Sequence, residues 1–128
     1  MAKRVLVIDD DNEFAEAMTN VLDARGYEVD HAPNGKVGIA KAREQKPDII
    51  LLDVMMTTKS EGLEVARELH KDEKLKSVPI ILVTGVRKEM SLPFGFEPDE
   101  TWLPVKGVLE KPVKPEVLLK TIEEHINV

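Results

Sequence analysis

Residues 48–53 read Asp-Ile-Ile-Leu-Leu-Asp, with four large aliphatic side chains in a row between two acids. A strand with one solvated face alternates apolar and polar residues, whereas a parallel strand covered on both faces is apolar throughout. This stretch is therefore predicted to be a buried parallel strand that ends at Asp53.

Apolar runs on either side extend this pattern along the chain. Further strands are predicted at residues 5–8, 27–31, 79–83 and, more weakly, 107–109. Between them, apolar residues at helical spacing predict helices over residues 12–25, 35–45, 61–71 and 115–126. The alternation of the two kinds of element predicts an α/β domain in which helices cover both faces of a parallel sheet.

Polar and special residues mark several helix ends. Asp11 is a candidate N-cap for the first helix, and Gly26 is a candidate stop. Pro47 ends the second helix, and Pro115 suits the first position of the last one. These signals agree with the boundaries that the apolar spacing predicts.

Residues 86–106 break the alternation. A helix is due here, but the segment contains Pro93, Pro98, Pro104 and Gly95. Proline removes a helical hydrogen bond and clashes with the preceding turn. We therefore expect the fourth helix of the fold to be short or replaced by an irregular loop.

Composition narrows the class of protein. The chain of 128 residues is long enough to bury a core, so residues 1–128 are expected to form a single domain. It contains no cysteine, which excludes thiolate zinc sites and favours the cytoplasm. Its apolar runs are too short for a signal peptide or a membrane span. The net charge of −6 disfavours direct binding to nucleic acid or to anionic lipid.

Residues with reactive side chains follow several of the predicted strands. Ligands of an open parallel sheet bind at the carboxyl ends of its strands. The side chains predicted there are those of Asp9, Asp10, Asp53, Thr84 and Lys111. Crowded carboxylates repel one another unless a cation lies among them, and Mg²⁺ prefers few carboxylates, several waters and a phosphate oxygen. A carboxylate beside such an ion can attack phosphorus, while a lysine and a hydroxyl stabilise the phosphoryl oxygens.

Simpler explanations exist for some of these residues. Acids often cap helices and end strands, which is the interpretation we favour for Asp11. Thr84 could be an ordinary β-branched strand residue, and Lys111 could be a solvated lysine. The histidines lack metal-ligand spacing and are expected at the surface: His31, His70 and His125.

Four motifs together resemble the receiver domain of two-component response regulators, of the kind typified by the chemotaxis regulator. They are Val7-Ile-Asp-Asp-Asp11, Asp48-Ile-Ile-Leu-Leu-Asp-Val-Met55, Ile81-Leu-Val-Thr-Gly85 and Glu110-Lys-Pro-Val-Lys-Pro115. Each motif is weak alone, but in this order and at strand ends they are specific, and the resemblance covers essentially the whole chain. It implies a flavodoxin-like doubly wound sheet of five parallel strands in the order 2-1-3-4-5.

The resemblance also implies a cation site and a phosphoacceptor. Asp53 would accept the phosphoryl group. Asp9 and Asp10 would bind Mg²⁺ together with Asp53 and the backbone carbonyl of Met55, and Mn²⁺ can substitute. The reaction would be self-catalysed phosphotransfer, without turnover of an external substrate. In the family the phosphoryl lifetime depends partly on the residues two positions beyond the phosphoacceptor and the threonine, here Met55 and Val86; both are apolar and cannot position an attacking water, so autodephosphorylation is expected to be slow.

The same resemblance implies how the signal is passed on. Lys111 would contact the phosphoryl group, with a cis peptide bond to Pro112, and Thr84 would move toward a phosphoryl oxygen as the switch. A histidine kinase or a histidine phosphotransfer protein would supply the phosphoryl group. The phosphorylated form would act on an unknown downstream protein target.

Other functions are compatible with parts of the sequence. Val108 stands where the family commonly has Tyr or Phe, and residues 86–106 contain Phe94, Phe96 and Trp102. These aromatic residues either fix a loop to the sheet edge or form a docking surface. The alternative function is therefore a protein-binding receiver module that uses this surface without phosphorylation.

Two other classes of protein, a phosphohydrolase and a flavin-binding protein, fit the sequence less well. A phosphohydrolase with an aspartyl-phosphate intermediate typically has an acid two residues after its nucleophile, where this chain has Met55. A flavin-binding protein of similar topology needs a phosphate loop after the first strand, where this chain has acids that would repel a phosphate.

Overall fold

The structure is a computed structural model that describes residues 3–53, 61–84 and 105–126. Within these ranges the chain forms five strands and four helices. The strands are β1 (Arg4–Ile8), β2 (Glu28–Ala32), β3 (Ile49–Asp53), β4 (Ile80–Thr84) and β5 (Gly107–Glu110). The helices are α1 (Asn12–Asp23), α2 (Gly35–Gln45), α3 (Glu61–Lys71) and α4 (Pro115–Ile126). Every predicted strand and helix in these ranges is present, with ends that shift by one or two residues.

All five strands are parallel and lie in the order β2-β1-β3-β4-β5. This order confirms the flavodoxin-like doubly wound topology. The strand order reverses beside β1, since the chain moves from β1 outward to β2 and then back to β3 on its other side. The carboxyl ends of β1 and β3 are therefore neighbours, and this is the position at which open parallel sheets bind their ligands.

The aliphatic run of β3 supplies both layers of the core. Ile50 and Leu52 pack in the cluster on the side of α2 and α3, and Ile49 and Leu51 pack in the cluster on the side of α1 and α4. All four side chains are buried. Burial of such a side chain contributes roughly 1.5–3 kcal/mol, so this one strand ties the two layers together. The prediction of a strand covered on both faces is confirmed.

Side-chain caps begin the first two helices. The amide of Phe14 donates to Oδ1 of Asp11 over 3.1 Å, which confirms Asp11 as the N-cap of α1. Asn34 caps α2 by accepting from the amide of Val37 over 2.9 Å, a role the sequence analysis did not assign. After α1, Gly26 has a φ of +88°, which lets the chain turn back into β2.

Gly38 allows α2 to lie close to β1. A Cβ added at Gly38 would lie 2.5 Å from Cδ1, 2.8 Å from Cγ1 and 3.0 Å from Cγ2 of Ile8. Two of these atoms branch directly from the Ile8 Cβ, so a change of rotamer cannot move both away. The absence of a side chain at Gly38 is therefore a packing requirement.

We expect Gly38→Ala to lower the free energy of unfolding. Alanine gains about 1 kcal/mol of helix propensity over glycine, whereas overpacking against Ile8 costs about 1–3 kcal/mol, so the net loss is about 1 kcal/mol. Urea unfolding of the native chain and the variant measures this net loss in the free energy of unfolding. In an Ile8→Val background, which lacks Cδ1, the same substitution should cost less. A stabilised Gly38→Ala protein would contradict the close contact.

The expected irregular segment falls mainly outside the described residues, since residues 85–104 are not described. The chain re-enters the described part at Val105, which is buried in the cluster on the side of α2 and α3. Val108 packs half-buried against the same cluster. No helix of the described ranges is long and apolar enough to cross a membrane.

Candidate functional site

Three carboxylates meet at the carboxyl ends of β1 and β3. Asp9 follows β1 directly and Asp53 is the last residue of β3, whose neighbour Leu52 pairs with Ile8. One carboxylate oxygen each from Asp9, Asp10 and Asp53 lies within 4.8 Å of the others. The structure thus brings together the three acids that the sequence analysis selected.

Two of the three acids are buried. The exposed fraction is 1% for Asp9 and 6% for Asp53, whereas Asp10 is exposed. Buried carboxylates are costly to keep ionised unless a positive charge or hydrogen-bond donors lie next to them. Positive charge or hydrogen-bond donors are therefore needed at this edge of the sheet.

Lys111 supplies one such charge. Its Nζ lies 3.0 Å from Oδ2 of Asp9 and 4.0 Å from Oδ1 of Asp53. The residue follows β5, and its peptide bond to Pro112 is cis, as the resemblance implied. The same Nζ lies 4.3 Å from the ring centroid of Phe14, close enough for a cation–π contact. Lys111 is therefore held between two acids and an aromatic ring.

Every polar group of Asp9 has a partner. Its carboxylate accepts from the amide of Asp11 over 2.8 Å at Oδ1 and from Lys111 at Oδ2. Its N–H donates to the carbonyl of Ala32 over 3.0 Å, and its carbonyl bonds Nε2 of His31 over 2.7 Å. Asp9 is thus fixed in orientation by residues of β2, by the N-cap residue of α1 and by Lys111 after β5.

The surface expectation for the histidines is only partly right. It holds for His70, which is exposed on α3. It is wrong for His31 and His125, which are half-buried and hydrogen-bonded to backbone carbonyls.

The contact of Phe14 with Lys111 was not predicted from the sequence. A signal for Phe14 was available, because it lies three residues after the Asp11 cap, in the first turn of α1.

Asp30 on β2 lies next to His31 and forms a charged cluster with Lys41 and Gln45 of α2. Nζ of Lys41 lies 2.9 Å from its Oδ1, and Nε2 of Gln45 donates to its Oδ2 over 2.8 Å. Burial raises the pKa of Asp30, but these bonds and that from the His31 amide outweigh burial and hold the pKa below its ordinary value of 3.8. The cluster therefore stabilises the fold only while Asp30 is ionised.

We expect Asp30→Asn to reduce stability at pH 7 and to have little effect in acid. Because the pKa of Asp30 is depressed in the folded state, its contribution is present above pH 3.8 and is lost as the pH falls through the folded value. The side chain is 35% exposed, so solvent screening limits the contribution to about 0.5–1 kcal/mol. Urea midpoints at pH 7 and about pH 3 measure it. The control is Asp23→Asn, a substitution of an exposed aspartate. A stability difference between Asp30→Asn and the native chain that is as large in acid as at pH 7 would contradict this account.

The remaining predicted site residues are only partly described. Thr84 ends β4 opposite Glu110, which places its backbone at the same edge of the sheet as Asp53. Met55 lies outside the described residues, so its expected carbonyl ligand remains a prediction. Val108, in place of the family's aromatic residue, is two residues before the end of β5.

The donor set at this edge suits a hard divalent cation. Carboxylate oxygens are the ligands that Mg²⁺ and Ca²⁺ prefer, and Mg²⁺ typically takes only one or two of them beside waters and a phosphate oxygen. The three acids are close enough to share one ion, directly or through water. Among the residues that the structure describes, this cluster contains only carboxylates and none of the nitrogen or sulfur ligands of a softer metal.

The sheet topology and the carboxylates at the ends of β1 and β3 define the protein's class: a doubly wound α/β domain with an acidic candidate site. The family model for the response regulator receiver domain matches residues 5–123. The chain therefore belongs to the response regulator receiver domain family. It is a signalling module of two-component phosphorelays rather than a conventional enzyme, and receivers in general interact with histidine kinases or phosphotransfer proteins.

Individual relatives agree with this assignment. The chain is 36% identical over 122 residues to the protein PilH of Pseudomonas aeruginosa, with 93% of each chain covered. It is 30% identical over 130 residues to the polar-differentiation response regulator DivK of Brucella anthropi, covering 99% of this chain and 98% of that one. The solved structure of the chemotaxis protein CheY4 of Vibrio cholerae has a TM-score of 0.85 at 29% identity, over 98% of this chain and 99% of that one.

Proposed function

We propose that Asp53 accepts a phosphoryl group from a histidine kinase or a histidine phosphotransfer protein, in a reaction that needs Mg²⁺ or Mn²⁺. The observation behind this proposal is the meeting of three carboxylates and the Lys111 ammonium at the switch point of the sheet. A carboxylate oxygen of Asp53 forms the new P–O bond as the P–N bond to the donor imidazole breaks. The electron pair of the broken bond stays on the imidazole nitrogen.

The surroundings of the acids favour Asp53 as the nucleophile. Both carboxylate oxygens of Asp9 already accept short bonds, over 2.8 Å and 3.0 Å. Asp10 is exposed, so water competes for its carboxylate. Asp53 ends the central strand, and Lys111 is 4.0 Å from its Oδ1, close enough to attract a phosphoryl oxygen placed there.

The other site residues have supporting roles in this proposal. Asp9, Asp10 and Asp53 would hold the divalent cation, with the Met55 carbonyl as the further predicted ligand, and the cation would supply positive charge to the phosphoryl oxygens. Lys111 moves from the carboxylates to a phosphoryl oxygen. The Thr84 hydroxyl donates to another phosphoryl oxygen and so passes the change to the protein surface.

The proposal includes the setting of this reaction. Residues 1–128 act as one receiver domain in the cytoplasm, and an unknown protein target reads the phosphorylated form. The net charge of −6 supports contacts with protein rather than with nucleic acid or membrane. Phosphotransfer and slow autodephosphorylation are the only chemistry proposed. Met55 and Val86, which would influence the second step, lie outside the described residues.

The decisive experiment is intact-protein mass spectrometry after incubation with acetyl phosphate. We expect a phosphoryl adduct in the presence of Mg²⁺ and none after chelation with EDTA, because crowded carboxylates repel a phosphate until a cation neutralises them. Circular dichroism of the same samples shows whether the protein is folded. A folded chain with Mg²⁺ that takes up no phosphoryl group would refute the proposal and favour the phosphorylation-independent binding module.

A further inference from the structure

The last two residues of β2 hold the backbone of Asp9. The N–H of Asp9 donates to the carbonyl of Ala32, and the carbonyl of Asp9 lies 2.7 Å from Nε2 of His31. The paired residues of β1 and β2 end at Ile8 and Ala32, after which the chain enters α2. A side chain of β2 therefore continues the hydrogen bonding past the last backbone pair.

The bond to His31 is directional. A backbone carbonyl can only accept, so Nε2 of His31 must carry the hydrogen and donate it. The separation of 2.7 Å is at the short end of the range for N–H···O hydrogen bonds, and the ring is half-buried. This contact constrains the Asp9 peptide more strongly than a water molecule would.

Residues of α2 and β2 hold His31 in turn. The His31 amide donates to Oδ1 of Asp30 over 2.8 Å, and its carbonyl accepts from Nζ of Lys41 over 3.0 Å. Lys41 and Gln45 of α2 both bind the Asp30 carboxylate. The helix thereby orients the end of β2 from which His31 reaches Asp9.

We infer that His31 is a positioning residue that orients Asp9 for divalent cation binding. With its N–H and carbonyl bonded, the backbone of Asp9 has little freedom to move, and the Asp11 amide holds Oδ1 of its carboxylate, so the ligand is oriented before a cation arrives. Partners that orient a metal ligand typically change metal affinity 10- to 100-fold when they are removed. The inference rests on the proposed cation site and adds a residue outside the family motifs.

The test compares His31→Gln with His31→Asn in the full chain. The amide nitrogen of glutamine reaches about as far from the backbone as Nε2 of histidine, whereas that of asparagine reaches only about as far as Nδ1. Binding of Mn²⁺ is followed by electron paramagnetic resonance, with Mg²⁺ as competitor. We expect His31→Asn to bind Mn²⁺ about tenfold more weakly, and His31→Gln to stay within about threefold of the native affinity. The matched control is His70→Asn, which alters an exposed histidine on α3.

Urea unfolding of the same variants separates positioning from general stability. Native affinity in His31→Asn would overturn the inference, and so would equal losses in His31→Asn and His31→Gln, because a lost donor could not then be the cause. A native chain that binds neither Mn²⁺ nor Mg²⁺ would refute the proposed cation site and this inference with it. If the native chain binds the ion and His31→Asn binds it equally tightly, the inference about His31 is refuted but the proposed cation site is not.

Discussion

Asp53→Asn is expected to take up no phosphoryl group from acetyl phosphate when the native chain is phosphorylated in parallel. Asparagine keeps the shape of the side chain but replaces the nucleophilic carboxylate by a neutral amide. Intact-protein mass spectrometry gives the result directly. The matched control is Asp48→Asn, which makes the same change immediately before the start of the same strand, where the side chain accepts from the Arg4 amide. The control should be phosphorylated like the native chain.

The variant should also remain folded, which makes a lost adduct interpretable. Asp53 is one of three carboxylates within 4.8 Å of one another, and Lys111 is the positive charge described among them. Without Mg²⁺, removing one negative charge relieves repulsion, so we expect Asp53→Asn to be as stable as the native chain or about 1 kcal/mol more stable in urea. A phosphoryl adduct on folded Asp53→Asn would show that another acid is the acceptor.

The strands were predictable because their signal is local and strong. The run at residues 49–52 has no polar side chain to place on a solvated face, so both its strand state and its double burial follow from the sequence. Clustering of Asp9, Asp10 and Asp53 followed in the same way, since parallel strands end at one edge of a sheet. What each side chain does there depends on geometry that the sequence does not contain.

The contacts of His31 and Phe14 could not be predicted from the sequence. The contact between His31 and Asp9 depends on where the pairing of β1 and β2 ends and on which way the ring points there. The position of Phe14 beneath Lys111 depends on how α1 lies against the chain after β5. Both contacts join residues that are distant along the chain, so spacing along one element could not reveal them.

Lys111→Met is expected to slow phosphorylation by acetyl phosphate about 100-fold at saturating Mg²⁺, the usual effect of removing one preorganised group that stabilises developing charge. Methionine keeps much of the length of lysine and loses the ammonium that lies 3.0 Å from Asp9 and 4.0 Å from Asp53. The rate is measured by quenching the reaction at intervals and weighing the intact protein. The matched control is Lys114→Met, an exposed lysine three residues further along, which should react at the native rate.

The same substitution should strengthen cation binding, and this opposite sign separates a role in charge stabilisation from a structural one. The Lys111 ammonium competes with a divalent ion for the carboxylates of Asp9 and Asp53. Removing a unit charge about 4 Å from a divalent ion favours binding of the ion by about 2 kcal/mol in water, or roughly 30-fold in affinity. A site that had merely lost its structure would bind the ion more weakly and react more slowly. Faster or unchanged phosphorylation of Lys111→Met, or weaker binding of Mn²⁺, would therefore contradict the role proposed for Lys111.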